Sequence, residues 1–389
     1  MSGMDRTKLD LARNLMEEKE VDVLVASTID NIQYLSGFRD PMLLGGIRRL
    51  GSSFCVLPLD KSAEPALIAG LSYKRITQKV SWIKDQRFIK PKITFIEGSG
   101  EQAGDDPIVT LSQVLNERGL TNARIGIEKS DLSMGLFERL RKALPKNEFV
   151  DAKDVFLRLR TIKSEREIVL IKRAADITKL GVEAFFEVGR EDATEFEMAK
   201  AYQLAIIENG ALLTTPAHMT IGTGPNSAIP LNPLVEDRRL QKGDILKADV
   251  GVVYQGYTCD FSRCGVIGKP DAKTQKLHDT LRRAIDKGIE RVEPGVKTKD
   301  IYDAVRFGVE QVYPDYEIPV VGHGCGIDEH EEPVISAGSD ATLQEGMVIS
   351  IEAPYNILGV GGMNIEDMML VTKTGHELIS DLPSQIRIR

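Results

Sequence analysis

The sequence has few cysteines and no long apolar run. Four cysteines in 389 residues, Cys55, Cys259, Cys264 and Cys325, are too few for the disulfide framework of a small secreted domain. No apolar run approaches the ~18 residues that a membrane-spanning helix needs. The charged start MSGMDRTKLDLARNLMEEKEVD also lacks the apolar centre of a secretory signal. These absences predict a reduced, cytoplasmic protein with no membrane partner.

Positive charge is also scarce. The net charge is -8 and the pI is about 5.4, and the sequence contains no long basic run. Nucleic acids and anionic membranes are therefore not expected partners. The composition, 42% hydrophobic and 28% charged, is that of a globular protein, and 389 residues suit two domains.

Residues 1–157 are expected to form an α/β domain because helical and strand patterns alternate there. Short apolar runs predict strands at VDVLVAS, SFCVLPLD, PALIAG, ITFIEG and ARIGIEKS. SMGLFERLRKAL has the spacing of a helix, and DNIQYLSGF is interpreted as a turn that enters another strand.

Residues 158–389 are expected to form a second domain in which helices and strands come in runs. A long helix is predicted from TIKSEREIVLIKRAADI onward, with Ser164 as N-cap and Glu167 as its capping-box partner. Further helices are predicted at ATEFEMAKAYQLAIIENG, AKTQKLHDTLRRAIDKGIERV and TKDIYDAVRFGVEQV. Runs of this kind favour the α+β class.

Two aspartates flank a predicted hairpin in KADVGVVYQGYTCDFSR. A turn near Tyr254 and Gln255 would make Asp249 and Asp260 cross-strand neighbours, about 5 Å apart on one face. Two carboxylates this close repel each other unless a cation or a proton lies between them. Either acid alone is more typical of a turn or a sheet edge, but the pair favours a metal site.

Two glutamates lie in apolar strands further on. VISIEAP places Glu352 at the end of one strand, and GGMNIEDMMLV places Glu366 inside another. A glutamate among Ile, Met and Leu is costly unless it is paired, protonated or bound to metal. A buried salt bridge is the alternative for each.

The stretch VGHGCGIDEHEEP holds two of the five histidines, His323 and His330. It has neither the spacing of a phosphate-binding loop nor the HExxH of a zinc helix. Four carboxylates and one imidazole suit two divalent first-row ions such as Mn, Co, Fe or Zn. Such ions would lie about 3.5–4 Å apart with a nucleophilic hydroxide between them.

The order Asp, Asp, His, Glu, Glu resembles the pita-bread metallopeptidase superfamily, which includes Xaa-Pro dipeptidase, aminopeptidase P and creatinase. The motifs that carry the resemblance span nearly the whole chain: DNIQYLSGF, LRTIKSEREIVLIKRAADI, DVGVVYQGYTCDFSR, GHGCGIDEHEEP, SIEAP and GGMNIEDMMLVT. The resemblance implies a creatinase-like α/β N-terminal domain (1–157), a pita-bread catalytic domain (158–389) and a homodimer.

The resemblance also implies a role for each site residue. The metal ligands would be Asp249, Asp260, His323, Glu352 and Glu366, with Asp260 and Glu366 as bridges. Glu352 would also move the proton of the bridging water. His330 would contact the substrate carbonyl or the developing oxyanion.

The chain departs from the family pattern at several positions. Leu231 stands where many relatives have a histidine, and His218 is a candidate substitute for it in binding substrate. Asn364 replaces an arginine that prolidases usually carry. Arg263 keeps the family pattern and could either contact substrate or a ligand carboxylate, or pair with a nearby acid. Cysteines beside the ligands are interpreted as small buried residues rather than as ligands or redox groups.

The expected activity is hydrolysis of an amide C–N bond, as in an Xaa-Pro dipeptidase acting on a dipeptide. Two alternatives remain at this point. One is a non-peptidase of the same superfamily, such as creatinase, ectoine hydrolase or a dimethylsulfoniopropionate lyase, acting on a small molecule. The other is a catalytically inactive binding module, which the five retained ligands disfavour.

Overall fold

The computed structural model describes residues 6–41, 53–91, 94–97, 103–232 and 235–389, without the side chains of residues 6, 213 and 215–219. By its internal contacts the chain divides into two compact units, Met1–Leu159 and Arg160–Arg389. We call them the N-terminal and C-terminal units. The division lies two residues beyond the expected boundary at 157/158.

The N-terminal unit is built on one six-stranded sheet with strand order β4-β3-β2-β1-β5-β6. The strands are β1 (Val23–Ala26), β2 (Phe54–Pro58), β3 (Ala66–Gly70), β4 (Asp85–Ile89), β5 (Arg124–Ile127) and β6 (Glu148–Asp151). The helices are α1 (Arg6–Glu18), α2 (Ile29–Ser36), α3 (Lys74–Val80), α4 (Pro107–Glu117) and α5 (Met134–Ala143). Helix α6 (Lys153–Thr161) crosses the division between the units.

The interpretation of DNIQYLSGF as a turn and a strand is wrong, because most of this segment forms helix α2. The Thr28 side chain caps the helix by accepting a hydrogen bond from the backbone N–H of Asn31. Buried Glu128 then accepts hydrogen bonds from the side chains of Ser27, Thr28 and Asn31. Residues 94–97 of the expected strand ITFIEG are not in a strand, and its first and last residues lie outside the described part.

The described part of the C-terminal unit contains four long helices and a nine-stranded sheet. The helices are α7 (Glu165–Val188), α8 (Glu195–Glu208), α9 (Ala272–Ile289) and α10 (Thr298–Glu310). The predicted capping box of α7 is confirmed, because Ser164 and Glu167 each bond to the backbone N–H of the other. Runs of helices and a largely antiparallel sheet confirm the α+β class.

The strands of the C-terminal unit carry the residues of interest. They are β7 (Leu213–Thr223), β8 (Ile245–Tyr254), β9 (Tyr257–Thr258), β10 (Phe261–Val266), β11 (Gly322–Gly324), β12 (Val348–Glu352), β13 (Tyr355–Ile357), β14 (Gly361–Met363), β15 (Glu366–Val371), β16 (His376–Leu378) and β17 (Arg387–Ile388). The main path of the sheet is β11-β12-β15-β10-β8-β7. Strands β9, β16 and β17 pair with β8, β15 and β10, and β13 and β14 form a separate ribbon.

Alternation along β8 separates the core from the site. Ala248 and Val250 belong to the apolar core that includes α7 and α8. Asp249 lies between them, so its side chain leaves the opposite face of the sheet. Close packing of α7 on α8 depends on Gly181, where an added Cβ would lie 2.6 Å from the ring of Tyr202. Across the described residues, no helix is both long and apolar enough to span a membrane.

Candidate metal centre

Five adjacent strands bring the five predicted ligands together. The sheet order β11-β12-β15-β10-β8 places the strands of the ligands side by side, although the ligands span more than a hundred residues of sequence. The pairings are His323 with Ser350, Glu352 with Glu366, and Ser262 with both Glu366 and Asp249. Asp260 immediately precedes β10.

The hairpin that carries the two aspartates is present, but its register differs from the expected one. The turn lies at Gln255 and Gly256, which both have positive φ. Asp249 pairs with Ser262, so Asp260 lies on the diagonal of the same face rather than directly opposite. Even so, carboxylate oxygens of Asp249, Asp260 and Glu366 lie within 4.8 Å of one another.

The two histidines, His323 and His330, lie close to these carboxylates. The Nε2 atom of His323 is 3.7 Å from Asp260 Oδ2 and 3.8 Å from Glu366 Oε1. Its Nδ1 atom is 3.0 Å from the carbonyl oxygen of Gly324. A proton on Nδ1 would donate to this carbonyl and leave the lone pair of Nε2 directed at the acids. The rings of His323 and His330 are 4.1 Å apart, and ligand atoms of Asp260, His323 and His330 lie within 4.8 Å.

The acids strongly perturb one another. Burial raises the pKa of Asp260 well above its usual range, and the charge of Glu366 raises it further. Burial also raises the pKa of Glu366 well above its usual range, with a further contribution from Glu352. Ionising Asp260 and Glu366 together is therefore unfavourable unless a cation lies among the acids. A cation that displaces the protons relieves the repulsion.

The carboxylates also have capacity to coordinate a cation. Among the described residues, Asp249 Oδ1 and Glu366 Oε1 are buried without a hydrogen-bond partner. Buried carboxylate oxygens normally accept hydrogen bonds or coordinate metals. A set of oxygens with one or two imidazoles is the chemistry that divalent first-row ions take. The residues present therefore fit a divalent metal centre.

Asn364 holds two of the acids in place. Its Nδ2 atom donates to Asp249 Oδ2 and to Glu352 Oε2, both at 3.2 Å. The thiol of Cys264 donates to the main-chain oxygen of Asn364. Asn364 thus links strands β8 and β12 from the segment between β14 and β15, and it orients one oxygen of each of the two carboxylates.

The cysteines near the site have the features of buried structural thiols. Burial raises the pKa values of Cys259 and Cys264 to about 12 and that of Cys325 well above its usual range. Cys259 lies 2.9 Å from Thr178 Oγ1 and Cys325 lies 3.3 Å from Thr258 Oγ1. A thiol with such a pKa is neither a good nucleophile nor a ready metal ligand at neutral pH.

Glu331 anchors the loop that carries His330. Its carboxylate lies 3.1 Å from Arg160 Nε and 3.2 Å from Lys163 Nζ, and it accepts from the N–H groups of Ile327 and Asp328. Burial alone would raise the pKa of Glu331, but Arg160 and Lys163 outweigh it and lower the pKa. The glycines of the same segment allow close packing, since a Cβ at Gly324 would lie 2.2 Å from the oxygen of Glu332.

Arg263 is engaged away from the acids of the metal group. Its guanidinium donates to Asp367 Oδ1 at 2.7 Å and to the main-chain oxygens of Glu366, Ser380 and Leu382. Asp367 also binds Arg282 at 2.5 Å. These contacts favour the alternative in which Arg263 pairs with a nearby acid, and the expectation of substrate binding gains no support.

The two other departures lie on neighbouring segments. The backbone of His218 is in β7, but its side chain lies outside the described part, so its expected role stays a prediction. Leu231 follows the 3-10 turn Gly224–Ala228 and is 61% exposed.

The sequence interpretation missed two buried charged residues near the site, Lys247 and Glu329. Lys247 is 2% exposed and lies on β8 two residues before Asp249. Burial lowers its pKa, whereas the charges of Asp249, Cys264 and Glu352 oppose that shift. Glu329 is 3% exposed and its charge contributes to the raised pKa of Asp260. The sequence could have indicated Lys247, because a charged residue inside an apolar strand is unusual.

Models of two protein families match the chain. The model of metallopeptidase family M24 matches residues 169–373, and the model of the creatinase/prolidase N-terminal domain matches residues 8–162. The chain is also 36% identical over 258 residues to an Xaa-Pro dipeptidase of Pyrococcus horikoshii, covering 66% of this chain and 72% of the relative. An Xaa-Pro dipeptidase of Lactobacillus delbrueckii is 26% identical over 98% of both chains.

Solved structures agree with these matches. The prolidase from Pyrococcus horikoshii superposes with a TM-score of 0.81 at 27% identity, covering 98% of this chain and all of that one. A prolidase from Thermococcus sibiricus gives a TM-score of 0.85 over the full length of both chains, at 23% identity, which shows a shared fold. The expected creatinase-like domain and pita-bread domain are confirmed.

Proposed function

Because the chain belongs to metallopeptidase family M24, we propose that it is an Xaa-Pro dipeptidase whose two divalent ions are held by the five residues of the metal centre. The proposed ligands are Asp249, Asp260, His323, Glu352 and Glu366. The proposal is supported by Xaa-Pro dipeptidases at 34–36% identity and by two overlapping groups of ligand atoms that share Asp260. Mn, Co, Fe and Zn all suit this donor set.

The shared aspartate is the observation that carries the dinuclear interpretation. One group comprises Asp249, Asp260 and Glu366, and the other comprises Asp260, His323 and His330. A carboxylate has two oxygens, so Asp260 can serve both groups at once. Glu366 is the second proposed bridge, since its Oε1 is 3.8 Å from the imidazole of His323 while its carboxylate also faces Asp249.

Divalent ions held by these five residues would supply Lewis acidity, which would polarise the peptide carbonyl and increase the acidity of water at the site. Glu352 is the proposed proton carrier. It stands at the end of β12, is less buried than Glu366, and accepts a hydrogen bond from Asn364 that fixes one oxygen. Its other oxygen can take a proton from water and deliver it to the leaving nitrogen.

His330 is the proposed stabiliser of the developing oxyanion. It is exposed, unlike His323, and its ring lies 4.1 Å from that of His323. An imidazole at the rim of the metal centre can donate a hydrogen bond to the carbonyl oxygen as negative charge develops there. The same imidazole could instead bind the second ion, because its ligand atom lies within 4.8 Å of those of Asp260 and His323.

The proposed activity is tested with matched dipeptides. The metal-stripped protein is reloaded with Mn²⁺, Co²⁺, Fe²⁺ or Zn²⁺ and assayed on Ala-Pro, Gly-Pro and Leu-Pro, with Ala-Ala and Leu-Ala as controls. We expect cleavage of the Xaa-Pro set with at least one ion and no cleavage in excess chelator. A metal-loaded protein that cleaves the controls equally well, or cleaves no dipeptide, would contradict the proposed specificity.

The assembly and cellular location are proposals of the same kind. A homodimer is proposed from the family resemblance, and light scattering of the purified protein would measure it directly. A cytoplasmic location is proposed from the four thiols, all buried and free of disulfide bonds.

A further inference from the structure

The motif LRTIKSEREIVLIKRAADI carries the family resemblance but holds no metal ligand. Its residues 160–167, which we call the junction segment, join helix α6 to helix α7. Within this segment the side chains of Arg160 and Lys163 are 6% and 1% exposed. Two buried cations are costly unless they are paired. The acid that both of them contact is Glu331, which directly follows His330 in the sequence.

The junction segment is fixed to the sheet by its backbone. The N–H of Lys163 donates to the oxygen of Gly346 at 2.8 Å, in the turn before β12. The N–H of Gly346 donates in turn to the oxygen of Val371, the last residue of β15, at 2.9 Å. Strands β12 and β15 carry Glu352 and Glu366. The backbone of Lys163 therefore has a defined position relative to two of the proposed ligands.

The loop that carries His330, residues 324–331, is closed on itself. Its first and last residues exchange two backbone hydrogen bonds, of 2.9 and 2.8 Å. The carboxylate of Glu331 turns into the loop and accepts from the N–H groups of Ile327 and Asp328 at 3.1 and 3.0 Å. The loop is packed around this carboxylate, since a Cβ at Gly326 would lie 2.7 Å from its Oε2 atom. The cations that hold the carboxylate of Glu331 therefore hold the loop.

A second set of contacts connects the same loop to the junction segment. The N–H and the hydroxyl of Thr258 donate to the oxygen of Gly326 at 2.7 and 3.0 Å. The hydroxyl of the preceding residue, Tyr257, donates to Glu167 Oε1 at 3.4 Å, in the first turn of α7. The loop is thus held at Gly326 and at Glu331, and both sets of contacts end on the junction segment.

Of the two histidines, His330 is the one that depends on this loop. His323 lies on β11, and its Nδ1 atom is 3.0 Å from the carbonyl oxygen of Gly324. His330 is exposed and lies outside the strands, directly before Glu331. Its ring nevertheless lies 4.1 Å from that of His323, at an angle of 66°. The conformation of the loop therefore sets where the His330 ring lies relative to the metal centre.

We propose that Arg160 and Lys163 are positioning residues, which act through Glu331 to hold the His330 imidazole where it contacts the substrate carbonyl. This inference rests on the proposed function, in which His330 stabilises the developing oxyanion. A hydrogen-bond donor stabilises an oxyanion only when its position is accurate, and a displacement of about 1 Å can cost about 10²-fold in rate.

The kinetic experiment is a double-mutant cycle on Ala-Pro with Lys163→Met and His330→Ala. Lys163→Met should lower kcat about tenfold to a hundredfold, with little change in KM or metal content, because Arg160 still pairs with Glu331 and the protein folds. His330→Ala should lower kcat about 10²- to 10³-fold. The double variant should be no slower than His330→Ala alone, since both changes remove the same interaction. Losses that multiply in the double variant would show that Lys163 does not act through His330, and would overturn the inference.

Two further variants complete the cycle. Lys172→Met is the matched control on α7, because the ion pair of Lys172 with Glu377 lies at the surface, and it should behave as the wild type. If Lys163→Met does not fold, Glu331→Gln replaces it in the cycle. Glutamine keeps the shape of Glu331 and an acceptor oxygen for the loop, but it removes both ion pairs.

A spectroscopic experiment separates this inference from the proposed activity. The chain has five histidines, so NMR of metal-free protein with ¹³C-labelled histidine rings gives few signals, and His330→Ala assigns the one of interest. In Lys163→Met the His330 signal should shift or broaden, whereas those of His278 and His376 should not move. An unchanged His330 signal overturns the inference. A wild type that cleaves no Xaa-Pro dipeptide, with the His330 signal displaced in Lys163→Met, overturns only the proposed function.

Discussion

Glu366 and Asp367 are neighbours on β15, and both are almost fully buried, yet they have opposite surroundings. Asp367 faces two cations, with Arg263 at 2.7 Å and Arg282 at 2.5 Å. Glu366 faces other acids and one imidazole, and its pKa is raised well above the usual range by burial and by Glu352. The two faces of one strand therefore separate a structural ion pair from a metal centre.

Glu331, in the loop that carries His330, resembles Asp367 because it too faces two cations. It is as buried as Glu366, but Arg160 and Lys163 lower its pKa despite the effect of burial. Burial alone thus does not identify a metal ligand in this chain. The feature that does is a buried acid, such as Glu366, that among the described residues has no arginine or lysine within salt-bridge distance and also has an oxygen without a hydrogen-bond donor.

The largest effect is expected at the metal centre, for Glu352, which pairs with Glu366 on the neighbouring strand. Glu352→Gln removes the proposed proton carrier, and turnover on Ala-Pro should fall about 10²- to 10⁴-fold while the protein stays folded. Steady-state assays and circular dichroism measure both outcomes. Glu345→Gln, an exposed glutamate in the turn before β12, is the matched control and should retain full activity.

On the other face of β15, at Asp367, a substitution is expected to reduce stability rather than turnover. Asp367→Asn leaves Arg263 and Arg282 without their acid, so the free energy of unfolding should fall by about 3–5 kcal/mol. Urea denaturation of the metal-free protein measures this loss.

Glu366→Gln is the control for Asp367→Asn on the same strand. Removing one of several repelling acids should leave the metal-free protein as stable as before, or more stable. Equal destabilisation by the two substitutions would show that the two faces do not differ in the way described.

A smaller effect is expected at Asn364, which donates hydrogen bonds to two acids of the metal centre. Asn364→Leu has a similar volume but loses the hydrogen bonds to Asp249 and Glu352, so metal affinity should fall about tenfold to a hundredfold. Titration of the metal-free protein with Mn²⁺ in a calorimeter measures the change. An unchanged affinity would mean that these two acids are oriented without Asn364.

The smallest effect is a dependence of stability on pH in the absence of metal. Asp260 and Glu366 have raised pKa values, so their neutral forms stabilise the fold at low pH, and this stability is lost as pH rises through those values. The free energy of unfolding should therefore fall as the pH rises above about pH 5. Urea unfolding at several pH values in chelator measures the slope, which Glu366→Gln should reduce.

Local sequence patterns were sufficient for several parts of this account. Apolar strands interrupted by a single acid marked Glu352 and Glu366, and the capping box of α7 was visible in Ser164 and Glu167. The hairpin of Asp249 was also visible, because its turn residues are local. The register was not, since it is set by the position of the turn at Gln255 and Gly256.

Other features depend on residues that are far apart in the chain. Helix α2 was misinterpreted because its first turn is held by Glu128, about a hundred residues away. The contacts of Asn364 depend on which strands are adjacent in the sheet, and hydrophobic pattern alone does not specify strand order. Lys247 looked like any strand lysine until the fold placed it, buried, beside Asp249.

The most direct measurement is the number of divalent ions bound per chain in three proteins after equilibration with Mn²⁺ and removal of free metal. The account predicts about two ions in the wild type and in Asp367→Asn, and fewer in Glu366→Gln. A wild type that binds no ion, or a Glu366→Gln protein that binds as many as the wild type, would contradict it.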